Sequence, residues 1–292
     1  MERSFGGICA AFGRFDGMHA GHTAVLKTLG SLCAENGWDS ALYTFPAGNA
    51  VLTTEDEKAA LAAAAGVRNV ISGRPLPDAP DEAVHTLRLE LPDLRAVVLG
   101  SGFVRNGFGY ADYAAAFRAE GIDVFPVEDV CADGLPVTSE CICAALDAGD
   151  CEACRRLCGR PYLLTGFVTH GRGLGHTVGM PTANLAVPPE KRIPGEGVYA
   201  TVARVSQGVF MGLTNVGRRP SVDDEDRITV ETQLLDFKGD LYGAPMSLEF
   251  HFFIRSVMKF DSLDAVRRQV EADAAHSMKR LETVFRDIVP EE

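Results

Sequence analysis

No apolar run in the 292-residue chain approaches the roughly 18 residues that a membrane-spanning helix requires. Positive charge is scarce, with 28 Lys and Arg against 40 Asp and Glu and a net charge of −12. That balance argues against a general binder of nucleic acid or of an anionic membrane, since both need a basic surface. No G-x-x-x-x-G-K-[ST] stretch occurs anywhere, which excludes a Walker A loop. The opening MERSFGGICAAFGRF holds too short an apolar stretch between its charges for a secretory signal, so a cytoplasmic location is expected. What remains is the composition of a globular protein, 46% hydrophobic and 23% charged, which excludes disorder, collagen and coiled coil. The length suggests two domains.

Cysteine is the one residue that looks abundant. Cys9 and Cys33 lie in apolar segments, whereas Cys131, Cys141, Cys143, Cys151, Cys154 and Cys158 crowd together. Cys151, Cys154 and Cys158 have i, i+3, i+7 spacing and share one face of a helix. A zinc or iron–sulfur site completed by Cys141 and Cys143 would use such a face. The turn-borne C-x-x-C pairs of zinc sites are missing, so these thiols are read as small buried hydrophobes.

The first 130 or so residues alternate apolar strands (7–12, 41–45, 67–71, 95–99, 123–127) with helices (19–35, 55–65, 81–89, 111–120). Thr54 and Glu57 form a capping box ahead of an alanine-rich helix that stops at Gly66. Such a βαβα rhythm predicts a doubly wound parallel sheet. Two short helices follow, at 139–148 and 151–157. Gly159-Arg160-Pro161 then marks a boundary, giving domains 1–158 and 159–292. The first carries 12 basic and 22 acidic residues, so most of the net negative charge is its own. Beyond Pro161, β-rich runs at 162–168, 197–205, 209–213, 228–235 and 246–253 predict a small antiparallel barrel. A closing amphipathic helix, 263–286, places Val266, Val270, Ala274 and Met278 at helical spacing.

Two motifs carry chemistry. The first strand leads into Gly13-Arg14-Phe15-Asp16-Gly17-Met18-His19-Ala20-Gly21-His22 and then a helix. A helix starting there directs its free N–H groups and positive dipole end at a ligand, and glycines allow a phosphate chain close to the backbone. His19 and His22 share one face of the first turn and can donate hydrogen bonds to a transferring phosphoryl group. The second motif is His170-Gly171-Arg172-Gly173-Leu174-Gly175-His176, followed by Pro181-Thr182-Ala183-Asn184. Its glycine-spaced N–H groups can form an anion-binding nest without a lysine.

The first stretch resembles the H-x-G-H nucleotidyltransferases, and most closely the FAD synthetase half of the bacterial bifunctional riboflavin kinase/FAD synthetase family. The resemblance extends through Leu52-Thr53-Thr54…Glu57-Lys58 and Gly159-Arg160-Pro161-Tyr162. It continues over the last 130 or so residues through Asn215-Val216-Gly217-Arg218-Arg219-Pro220, Val230-Glu231-Thr232, Asp240-Leu241-Tyr242-Gly243 and Arg255. It implies a Rossmann-like α/β nucleotidyltransferase domain followed by a β-barrel riboflavin kinase domain with a terminal helix. The implied substrates are riboflavin, FMN and ATP, with Mg²⁺. Thr182 and Asn184 are the implied Mg²⁺ ligands and Glu231 the general base. Gly171, Gly173 and Gly175 would cover the nucleotide phosphates, with Arg255 a flavin-side or flap contact. In the first domain Gly13, Asp16, His19, Gly21 and His22 are the implied nucleotide-binding residues.

That first domain departs from the family pattern in three places. Thr44-Phe45-Pro46-Ala47-Gly48-Asn49 lacks the family's histidine, and Gly102 stands where the family has an acid. Cys143 replaces an arginine expected to meet ATP phosphates, and Glu140 replaces a hydroxyl residue. An arginine–phosphate contact supporting a transition state contributes about 2–4 kcal/mol. The expectation is therefore a riboflavin kinase whose FMN adenylyltransferase activity is weak or lost. Rival readings retain both activities, with Arg105 or Arg118 as a substitute cation, change the nucleotide or acceptor, or make the chain a non-catalytic flavin- and nucleotide-binding regulator.

Overall fold

The computed structural model describes residues 6–45, 48, 50–74, 76–170, 182–219 and 227–289. Packing divides the chain into two units, 1–139 and 140–292.

In the first unit, β1 (Ile8–Gly13), α1 (Ala20–Asn36), β2 (Asp39–Thr44), α2 (Glu55–Ala64), β3 (Asn69–Ser72), α3 (Pro80–Glu90) and β4 (Leu94–Gly100) alternate as the periodicity requires. A two-residue hairpin, β5 (Val104–Arg105) and β6 (Phe108–Gly109), precedes α4 (Tyr110–Ala119) and β7 (Asp123–Val127). A second such hairpin, β8 (Cys131–Ala132) and β9 (Leu135–Pro136), ends the unit. Five parallel strands lie in the order β3-β2-β1-β4-β7. The connections reverse direction between β1 and β4, so the crevice beyond their C-terminal ends is the topological switch point where doubly wound folds bind ligands. One face of the sheet packs Phe12, Tyr43, Leu87 and Phe117, the other Leu26, Leu29, Leu42 and Val98. The capping box forms, with Thr54 Oγ1 accepting from Glu57 N and Glu57 Oε2 from Thr54 N.

The second unit begins with α5 (Ser139–Asp147) and α6 (Cys151–Cys158). Both helices therefore group by packing with the barrel, whereas the sequence places them ahead of the domain boundary. Cys151, Cys154 and Cys158 form the buried face of α6. Burial pushes the Cys154 thiol up to about 12, and Cys151 and Cys158 shift the same way. Among the described residues, no three His, Cys, Asp or Glu side chains are grouped to hold a metal ion.

A closed barrel follows, in the order β10-β11-β14-β13-β12-β15. Its strands are β10 (Tyr162–Thr169), β11 (Ala183–Ala186), β12 (Gly197–Val205), β13 (Gly208–Arg219), β14 (Arg227–Leu234) and β15 (Pro245–Arg255). Closure leaves no edge strand. Inside, Thr201, Thr214 and Thr232 share a hydroxyl ladder with both oxygen separations at 2.8 Å. The terminal helix α7 (Leu263–Ile288) packs Leu281 and Phe285 against Ala200, Val202 and Phe252 on the outside. Its buried residues are Asp273, Ser277 and Leu281; of the expected stripe Val266, Val270 and Ala274 are half-buried, while Met278 is 41% exposed. The inward acid has an electrostatic cause. Arg255 Nε donates to Asp273 Oδ2 at 2.8 Å, and that pairing allows a charged residue on the inward face beside Ser277 and Leu281.

Candidate active sites

At the end of β1 the chain makes a tight turn in which Phe15, Gly17 and Met18 have φ of 50°, 84° and 42°. Two of these are buried non-glycine residues, so the turn is held in a sparsely populated conformation by its surroundings. Asp16 provides much of that hold. Its Oδ1 accepts from Leu52 N at 2.8 Å and Thr53 N at 3.0 Å, while Gly17 N donates to Thr53 Oγ1 at 3.0 Å. Asp16 thus shapes the turn by clasping the segment before α2.

His19 is the N-cap of α1, and its Nδ1 accepts from His22 N at 3.4 Å. The two imidazoles stack with centroids 3.7 Å apart, and Phe15 lies 4.7 Å from the His22 ring. Gly21 permits this arrangement, since a Cβ there would sit 3.1 Å from His19 Cε1. Gly13 allows the Phe15 ring a similarly close approach of 3.1 Å. Burial, followed by the fields of His19 and Lys58, pushes His22 well below the usual histidine range. The structure therefore brings Gly13, Asp16, His19, Gly21 and His22 together at the start of α1, beside the switch-point crevice.

Three further residues belong here. Lys58 of α2 is completely buried and donates to Thr44 Oγ1 at 3.0 Å and Glu55 Oε1 at 2.8 Å. Thr44 Oγ1 in turn donates to Arg14 O at 3.0 Å, tying the end of β2 to the turn. Asp129, past the end of β7, accepts from Gly102 N at 3.1 Å, and its Oδ1 lies 2.8 Å from where a Gly102 Cβ would be. Lys58 had a visible signal, a lone cation in a helix whose first turn holds three acids. Asp129 had none, because the meeting of two loops is not written in either. Of the two cations considered as substitutes, Arg105 donates to Leu76 O, Pro77 O and Tyr113 OH at 2.6–2.7 Å, and Arg118 is exposed on α4.

In the barrel, register decides what meets. Asn184 of β11 pairs with Glu231 of β14, and Glu231 pairs with Asn215 of β13. Asn215 pairs with Val198, and Val198 with Arg255. Side chains alternate along a strand, so the inward Thr232 and Thr214 turn Glu231 and Asn215 to the outer face, as the inward Ala183 turns Asn184. Thr182 lies two positions before Asn184, directly ahead of β11. It also lines a pocket of about 420 Å³ with Val168, Ala183, Leu234, Leu241 and Tyr242. His170 stacks on Tyr242 with centroids 3.8 Å apart. Gly171, Gly173 and Gly175 lie outside the described residues. The Arg255 guanidinium is engaged by Asp273 and by Ser256 O at 3.0 Å. Asn215, seen in the sequence only as part of a motif, is the further polar member of this row.

Residues 2–73 match a family model described as FAD synthetase, and residues 158–281 one described as riboflavin kinase. A bifunctional riboflavin kinase/FMN adenylyltransferase of Pseudomonas fluorescens is 32% identical over 285 residues, covering 92% of this chain and 91% of that protein. The chain belongs to the bifunctional riboflavin kinase/FMN adenylyltransferase family. Another member, from Bacillus subtilis, is 28% identical over 301 residues, covering 92% of this chain and 91% of that one. A solved structure of a macrolide-efflux protein from Streptococcus pneumoniae shares the fold, with a TM-score of 0.81 at 22% identity over 94% of this chain and 95% of that chain. The residues around His19 and His22, with Lys58, fall in the first matched segment and the Asn184–Glu231–Asn215 row in the second, while Asp129 lies beyond both.

Proposed function

We propose that the barrel unit transfers the γ-phosphoryl group of ATP to the 5′-hydroxyl of riboflavin, giving FMN and ADP. The observation that carries this reading is the cross-strand row Asn184, Glu231 and Asn215 beside Thr182. Phosphoryl transfer needs an oriented hydroxyl, a proton acceptor and neutralised phosphates. Glu231 is the acceptor: its carboxylate takes the hydroxyl proton as the oxygen attacks phosphorus. Thr182 and Asn184 fit Mg²⁺, since they offer a hydroxyl and an amide oxygen two positions apart beside a carboxylate, all hard donors. When bound, Mg²⁺ neutralises and orients the nucleotide phosphates. Arg255, held by Asp273, borders the flavin side. The test is Glu231→Gln in the full chain. FMN formation should fall at least about a hundredfold with nucleotide binding retained, and a near-full rate would remove Glu231 from the role.

We propose that adenylyl transfer to FMN is weak or lost. In the first unit Arg105 is committed to Leu76, Pro77 and Tyr113, and further along the sequence Cys143 and Glu140 stand where the resemblance implies an arginine and a hydroxyl. A second reading, full conversion of FMN and ATP to FAD and diphosphate, is favoured by one observation. The Asp129 carboxylate occupies the space that an acidic side chain from position 102 would enter. Diphosphate release from ATP and FMN by the Glu231→Gln chain separates the two, because that background leaves only the first unit to act.

A further inference from the structure

β15 is irregular where it ends. Phe253 pairs with Tyr199, yet Arg255 and not Ile254 pairs with Val198, so Ile254 is the extra residue of a β-bulge. In a regular strand Arg255 would share the face of Phe253, whereas the bulge moves it to the outer face, that of Val198. Arg255 thereby completes a row with Asn184, Glu231, Asn215 and Val198, one residue from each of five neighbouring strands. Its backbone lies three strand spacings from that of Glu231, about 14 Å along the sheet.

The guanidinium is held from several sides. Nε donates to Asp273 Oδ2 at 2.8 Å, Nη1 donates to Ser256 O at 3.0 Å, and Cζ lies 5.7 Å from the Phe260 ring centroid. Among the described residues these are its hydrogen bonds, so Nη2 is left to donate, and the side chain is 19% exposed. Asp273 is buried, and its Oδ1 accepts from Gln269 Nε2 at 2.9 Å, one turn earlier on α7. Both carboxylate oxygens are therefore committed. A buried ion pair is a poor source of stability, because apolar side chains of similar volume often serve as well or better. What this pair does secure is the direction of the guanidinium. Beyond Arg255 the chain returns to β13, where a Cβ on Gly217 would meet Asn215 Nδ2 at 3.4 Å and Val257 Cγ2 at 3.9 Å. Val257 and Met258 are half-exposed, and apolar surface beside a planar cation suits an aromatic ring.

We propose, on the reading of the barrel as a riboflavin kinase, that Asp273 is a positioning residue for the flavin. From the terminal helix it aims Arg255 at the ring end of riboflavin, away from the hydroxyl that Glu231 serves. Riboflavin carries its reactive hydroxyl at the far end of a five-carbon chain from its ring. Contacts to the two ends must therefore be well separated, as Glu231 and Arg255 are along the row.

The experiment uses the full chain, with riboflavin binding read by quenching of its fluorescence and FMN formation by steady-state kinetics. Asp273→Asn keeps the shape of the side chain and removes its charge. It should weaken riboflavin binding and raise the riboflavin KM at least about tenfold. The ATP KM should stay within about twofold, and the melting temperature should not fall. Arg255→Gln should have the same effect, and the double variant should be no worse than either alone, since both act through one contact. A purely structural Asp273 would instead lower the melting temperature and move both KM values together. Riboflavin binding unchanged in Asp273→Asn, or an equal loss for both substrates, overturns the proposal. If Asp273→Asn does not fold, Gln269→Leu decides, because it frees Oδ1 alone. That variant should raise the riboflavin KM about threefold without a change for ATP, and no selective rise overturns the proposal. A parent chain that binds riboflavin but forms no FMN, with binding weakened by Asp273→Asn, sinks the kinase reading and supports the role of Asp273. FMN formation with riboflavin binding untouched by Asp273→Asn does the reverse, and a parent chain that does not bind riboflavin overturns both.

Discussion

Gly21 shows how one atom governs the first site. A methyl group at this position would approach His19 Cε1 to 3.1 Å and Nδ1 to 3.2 Å, so the ring would have to shift by a few tenths of an ångström from its place against His22. Alanine is otherwise the better helix former by about 1 kcal/mol. Gly21→Ala should therefore leave thermal stability unchanged or raised while weakening ATP binding by the first unit, read as the difference in ATP-binding heat between the parent chain and Gly21→Ala. A lowered melting temperature with binding intact would refute this account of Gly21. The same scale explains what the sequence could and could not disclose. His19, Gly21 and His22 sit within four residues of one another, and a contiguous motif is legible as it stands. Thr44, Lys58 and Asp129 reach the site from β2, α2 and the loop after β7, and only the sheet order brings them in. Asp16 was legible as a member of the motif, but its partners at Leu52 and Thr53 were not.

Among the elements, α7 covers part of the barrel's outer face, packing on β12 and β15. Leu281 is wholly buried against Ala200, Val202 and Phe252, so Leu281→Ala should destabilise the barrel unit by about 2–5 kcal/mol, measured by urea unfolding. Met278→Ala, 41% exposed, should change stability by less than about 0.5 kcal/mol. Equal effects of the two would restore the stripe expected from spacing. The stripe holds at the half-buried Val266, Val270 and Ala274 and fails at Met278, and hydrophobic periodicity cannot register that Asp273 is inward for Arg255. β15 carries a second charged group, Glu249, beside Arg204 at 2.9 Å and His251 at 3.4 Å. Burial raises its pKa, but the contacts from His251 and Arg204 outweigh burial and hold it below the usual carboxylate range. A carboxyl depressed on folding contributes stability that is present above its unfolded pKa and lost as pH falls through the folded value. Glu249→Gln should therefore lower stability at neutral pH and flatten the acid limb of a melting-temperature profile. An unchanged acid limb would show that the charge contributes nothing. Short β11 escaped the sequence reading because its four residues lie inside a motif whose glycines and proline suggested a loop, and the two small hairpins were too short to show any period.

At the scale of the whole chain, fold class was legible because two different periodicities follow one another: βαβα spacing up to the helices after 139, then short β runs. The grouping of α5 and α6 with the barrel was not, since helical spacing tells which face is apolar and not which partner covers it. The pairing of Asn184 with Glu231 and Asn215 is of the same kind, a matter of barrel register fixed by the buried threonine ladder. We propose an unequal pair of activities in one chain, riboflavin phosphorylation by the barrel beside a weak or lost adenylyl transfer. The direct measurement is chromatography of the flavins formed from riboflavin, ATP and Mg²⁺, and separately from FMN, ATP and Mg²⁺. FMN accumulating in the first reaction, with little or no FAD in either, is the expected result. Ready formation of FAD in both would contradict it and make Cys143 and Glu140 changes that the first site tolerates.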